Sequence, residues 1–172
     1  FHPYTFPAPT PNAPKTGIDV SDEADQPSPG LTAFYEGCTT MAEKAKKAAA
    51  LDHVDFVNLH FASADPNGAN KSVEDCVADA KAVAEAIDKP IVISGCKNPE
   101  KDAELFSKIA EALQGKNILV LSAREENYKG IAAGVGLAYG QKVGAESAVD
   151  INLAKQLNVL ITQMGLDGKN IA

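Results

Sequence analysis

Apolar and polar positions along the chain follow two alternating periods. Short runs rich in β-branched and aliphatic residues fall at 54–61, 90–94, 117–121 and 142–145 and predict strands. Two of them follow a helix stop, Asp88-Lys89-Pro90 in one case and Gly115 in the other. Between the runs, apolar residues recur at helical spacing. Val73, Val77, Ala80, Ala84 and Ile87 form one stripe, with Ser72 and Asp75 near its start. Leu105, Ile109 and Leu113 form a second stripe, and Leu153, Leu157, Leu160 and Met164 a third. Residues 16–20, where Ile18 and Val20 alternate free of proline, predict a first strand, and Lys169-Asn170-Ile171-Ala172 the opening of a sixth.

Strands apolar on both sides, linked by helices with a single apolar stripe, predict an α/β fold with a parallel sheet covered by helices. Strand starts recur at intervals of roughly 25 to 40 residues, which suits repeated right-handed βα units. Two architectures fit that order. A doubly wound sheet is complete with five or six strands, whereas a TIM (β/α)8 barrel takes about 250 residues and would be incomplete at the C-terminus here, with about six strands present. The sequence stops at Asn170-Ile171-Ala172, inside a predicted buried strand, which favours the incomplete form. Seven of the ten prolines precede residue 31, so 1–30 is expected as a Pro-rich, mostly irregular segment holding the first strand, and 31–172 as a single domain.

Charge narrows the function classes. With 16 Lys+Arg against 23 Asp+Glu the formal net charge is −7, and no basic run offers the phosphate-neutralising stripe of a nucleic-acid binder or a patch for an anionic membrane. At 45% hydrophobic and 23% charged residues the composition is that of a globular protein. No apolar stretch approaches the roughly 20 residues of a membrane span, and Phe1-His2-Pro3-Tyr4 does not resemble a signal peptide. A cytoplasmic location is the expectation. Cys38, Cys76 and Cys96 are odd in number and widely spaced, too few for a Cys-only zinc site or an iron-sulfur cluster, which would have to lie on another chain.

In either architecture ligands bind at the C-terminal ends of the strands. The loops there are 62–68, 95–102, 122–127 and 145–147, and their candidates are Ser63, Asp65, Gly95, Asn98, Ser122, Glu126, Asn127 and Ser147. Each has a blander role beside the functional one. Asp65-Pro66-Asn67-Gly68 suits a plain turn, Asn98-Pro99-Glu100 a helix cap with proline at the first helical position, and Glu125-Glu126 a helix start. Adjacent carboxylates share no helix face and make a poor acid/base pair. His60, near a strand end, faces either a ligand or the core. Gly134-Val135-Gly136 lies in a helical pattern rather than after a strand, so a dinucleotide fingerprint is excluded.

Longer words go further. Asn12-Ala13-Pro14-Lys15 leading into Ile18-Asp19-Val20, Ser63-Ala64-Asp65-Pro66-Asn67-Gly68, Asn98-Pro99-Glu100-Lys101-Asp102, Glu125-Glu126-Asn127-Tyr128-Lys129 and residues 150–158 occur in this order. Together they resemble the small (delta) subunit of the corrinoid iron-sulfur protein of the acetyl-CoA synthase/CO dehydrogenase system. The resemblance implies a TIM barrel paired with a large subunit that carries the iron-sulfur cluster and the domain binding the cobamide, a corrinoid shared between the two. In such proteins cobalt takes a methyl group from a methyl-tetrahydropterin, such as methyltetrahydrofolate, through a separate methyltransferase and passes it to acetyl-CoA synthase. The small subunit is a lid over the corrin, not a source of acid, base or nucleophile. The family continues beyond the sixth strand, so corrin contacts from the last βα units would be missing here. A free-standing pterin-binding barrel methyltransferase and an unrelated (β/α) metabolic enzyme remain as alternatives.

Overall fold

The computed structural model describes residues 13–23, 28–147 and 150–172. Five strands, β1 (Gly17–Ser21), β2 (Phe56–His60), β3 (Ile91–Ser94), β4 (Ile118–Ala123) and β5 (Lys142–Ala145), form one parallel sheet in the order β1-β2-β3-β4-β5. The order follows the chain without the reversal that a doubly wound sheet requires. Beyond β5, Ile171 makes a parallel bridge to Val143, and the Ala172 and Ala145 amides extend it by bonds of 2.9 Å to Val143 O and Ala172 O. The sixth pairing therefore begins at Ile171 and not at Lys169, because residues Gly168–Asn170 close a 3-10 turn capped by Asp167.

The helices are α1 (Pro29–Phe34), α2 (Met41–Ala49), α3 (Val73–Ala86), α4 (Pro99–Ala112), α5 (Tyr128–Ile131) and α6 (Ile151–Gln163). Their starts follow from side chains that accept otherwise unpaired amides. Thr40 and Glu43 form a capping box on α2, Ser72 caps α3, and Asn98 caps α4 ahead of Pro99. Gly115 and Gly165 follow helix ends at φ 87° and 106°, where a side chain would be strained. The helical segment predicted around Gly134 widens into a π-helix at Ala132–Leu137, where Gly134 lets the backbone approach Ser107, whose hydroxyl donates to Gly134 O.

Parallel register aligns equivalent side chains across the sheet, and the two faces differ. Val20, Leu59, Ile93, Val120 and Val143 lie in one row and are fully buried under the helices. α2 packs on α3, α3 on α4, and α4 on the π segment, so the helical layer runs continuously over that face. The next row, one residue along each strand, is Ser21, His60, Ser94, Leu121 and Gly144; the row before it is Asp19, Asn58, Val92, Leu119 and Lys142. The expectation of strands apolar on both sides is thus corrected for β1, β2 and the end of β3. Their second face is polar, because no helix layer covers it. Among the described residues no helix is long and apolar enough to cross a membrane.

Candidate functional site

The polar rows end in a cavity of about 280 Å³ at the C-terminal mouth of β1 to β5. A hydrogen-bonded chain crosses three strands at its floor. The Ser94 hydroxyl donates to Asn58 Oδ1 at 2.9 Å, the Asn58 amide donates to Asp19, and His60 Nδ1 stands 3.4 Å from the other Asp19 oxygen. Burial raises the Asp19 carboxyl, but the bonds from His60 and Asn58 outweigh it and hold the carboxyl below its ordinary range. The same bond to Asp19 raises His60 above the ordinary value, against the opposing effect of burial.

The far wall is an ion pair between strand ends. Arg124, the chain's single arginine, grips Glu146 from Nη2 at 2.9 Å and 3.0 Å, and the Ser122 hydroxyl donates to the same carboxylate. The Ser122 bond is the first cause that holds Glu146 low, with Arg124 adding to it against burial. Register shifts between Leu121 and Ala123, leaving Ser122 as the extra residue of a bulge that turns its hydroxyl toward β5.

The third wall is the loop after β3. The buried Asp102 carboxylate accepts the Cys96 and Lys97 amides at 2.8 Å and 3.0 Å, and burial is what raises its proton affinity. A Cβ at Gly95 would overlap that carboxylate, which explains the glycine. The loop passes into α4 through Lys97 at φ 68°. Burial pushes the Cys96 thiol up to about 11, leaving it a thiol at neutral pH.

Of the candidates from sequence, the cavity brings together Gly95, Ser122 and Asn127. Asn127 is buried, and its side-chain oxygen accepts the Arg124 amide at 2.8 Å. Asn98 spends its oxygen on the Lys101 amide as a helix cap, beside Pro99 at the rim. Ser63 lies in a separate depression, where its amide and hydroxyl donate to Asp22. Asp65 is in the same depression and closes an Asx turn on Asn67 at 2.9 Å. Glu126 faces a groove between the β4–α5 turn and α6, and the Ser147 hydroxyl donates to Asp150 O at 2.8 Å.

Comparison with known proteins gives a match over residues 2–172 to the family described as CO dehydrogenase/acetyl-CoA synthase delta subunit. The chain belongs to that family. It is 33% identical over 174 residues to the acetyl-CoA decarbonylase/synthase complex subunit delta of Methanocaldococcus jannaschii, covering 98% of this chain and 42% of that protein. The same subunit of Archaeoglobus fulgidus is 33% identical, covering 90% of this chain and 34% of its own length. Subunit delta 1 of Methanosarcina thermophila is 31% identical, covering 91% and 36%. The chain spans less than half the length of these delta subunits.

The cavity is also lined by residues outside the candidates named from sequence: Asp19, Asn58, Ser94, Lys97, Asp102, Arg124 and Glu146. A signal for some of them existed. Asp19, Asn58 and His60 interrupt predicted strands at alternate positions, and the single arginine of the chain falls in a predicted strand-end loop.

Proposed function

We propose that this chain is part of the small subunit of a heterodimeric corrinoid iron-sulfur methyl carrier, its strands belonging to a TIM barrel whose strand-end face covers the cobamide. Membership of the delta-subunit family over residues 2–172 carries the reading. Strand order without reversal, continued by the Ile171 bridge, supports a barrel. The partners are the large subunit with its iron-sulfur cluster, a methyl-tetrahydropterin methyltransferase, and acetyl-CoA synthase/CO dehydrogenase, in the cytoplasm.

A corrin is a flat ring bearing carboxamide arms, and a cavity of about 280 Å³ fits its edge and not the whole ring. The donor set suits those arms, because the Asn127 amide nitrogen and the Lys97 ammonium make no hydrogen bond to other described residues. Bound there, the cobamide supplies cobalt as the methyl acceptor and donor. This chain's residues hold the ring edge and keep water away, and the Asp19, Asp102 and Glu146 carboxylates, all engaged within the protein, are not nucleophiles.

The test is capture of the chain from anaerobic extract with a visible spectrum of what accompanies it. A larger partner with corrinoid and iron-sulfur absorption is expected, and Asn127→Ala should reduce corrinoid retention by the heterodimer. A lone colourless protein would overturn the reading. Calorimetric titration of the chain with a methyl-tetrahydropterin is expected to show no binding; measurable binding would favour the free-standing methyltransferase.

A further inference from the structure

Hydrogen-bond accounting in the strand-end cavity is lopsided. Each carboxylate that lines it is already engaged: Asp19 by Asn58 and His60, Asp102 by two backbone amides, and Glu146 by Ser122 and Arg124. The donors are not used up. His60 Nε2, Lys97 Nζ and Arg124 Nη1 make no hydrogen bond to any described residue, although all three side chains line the cavity. Pro99 at the rim marks the N-terminal end of α4, where the helix dipole also favours negative charge.

We propose that this cavity is a pH-gated oxyanion site, in which a carboxylate or phosphate group accepts hydrogen bonds from protonated His60, Lys97 and Arg124. The charges make the gate. His60 sets the charge balance: protonated, it adds a positive charge beside Lys97 and Arg124 that offsets the surrounding carboxylates; neutral, it leaves the cavity more negative by one charge and less favourable for an anion. The loop after β1 adds Asp22 and Glu23, which favour the imidazolium. Behind Asp19, burial pushes the Tyr35 hydroxyl up to about 12, so it stays neutral and does not enter the balance. Nδ1, 3.4 Å from the Asp19 carboxylate, is turned toward that acceptor, which leaves Nε2–H for the ligand. This goes beyond the carboxamide contacts of the proposed function, since an anionic group would use the charged donors of the same mouth. It rests on the donors and not on the corrin, and is tested without corrinoid.

The experiment titrates the full chain calorimetrically with sulfate, a tetrahedral dianion that does not change charge near neutrality, and with acetate, at matched ionic strength in chloride. Affinity for one of them should be about tenfold higher near pH 6 than near pH 9, and the anion preferred identifies the group. By reciprocity that anion must raise the His60 midpoint, read from its ring proton resonance, by about one pH unit. Lys97→Gln, at an exposed position whose ammonium makes no hydrogen bond to a described residue, should weaken binding about fivefold at both pH values. His60→Gln should abolish the pH difference. Absence of binding by both anions, an unmoved His60 midpoint, or unchanged affinity in Lys97→Gln would overturn the proposal.

Discussion

At the scale of single residues, the polar atoms of this molecule divide into those the fold has already used and those it has not. Tyr35 is the clearest buried case. It is 4% exposed, and among the described residues its hydroxyl is the buried side-chain polar atom without a hydrogen-bond partner. A hydroxyl desolvated in this way costs more than it returns, so Tyr35→Phe should raise stability by about 1 kcal/mol, seen as a higher urea midpoint with an unchanged slope. Legibility at this scale follows sequence distance. Asn98 as a cap and Asp65 as a turn residue are readable because each bonds within three residues of itself. Arg124 with Glu146, and Asn58 with Asp19, are separated by 22 and 39 positions, so the sequence can mark the single residues but not which partner each one takes.

At the scale of elements, the helices show how starts are written in short words. Asn98-Pro99 supplies both an acceptor for the Lys101 amide and a residue preset for helical φ. Asn98→Ala should therefore lower stability by about 1 kcal/mol in thermal or urea unfolding, while Asn98→Asp, which caps equally well, should restore it. β4 is less transparent. Its first residues form the buried run that the sequence predicts, but the bulge at Ser122 and the lack of a Cβ at Gly144 opposite Leu121 emerge only from pairing with β5. The sixth pairing starts at Ile171 rather than Lys169, since Asp167 draws the intervening residues into a turn.

At the scale of the whole molecule, the sheet is one-sided. Its helix-covered face buries Val20, Leu59, Ile93, Val120 and Val143, and Leu121, on the opposite face, remains 37% exposed. Among the described residues β3 is paired on both sides and β1 only with β2, so hydrogen exchange should be slower in β3 by at least about tenfold. Equal exchange along both strands would count against this ordering of local stability. The alternation of strand and helix, most element positions and caps such as Ser72 and Asn98 follow from the sequence by itself, because each depends on periodicity or on contacts within a few residues, and the family resemblance follows from words matched in order along the chain. Which face of the sheet stays polar, and which of the polar groups meet there, was decided by tertiary structure. Asp19, Asn58, His60 and Ser94 stand on three different strands, and only parallel register brings their side chains into one row-by-row contact.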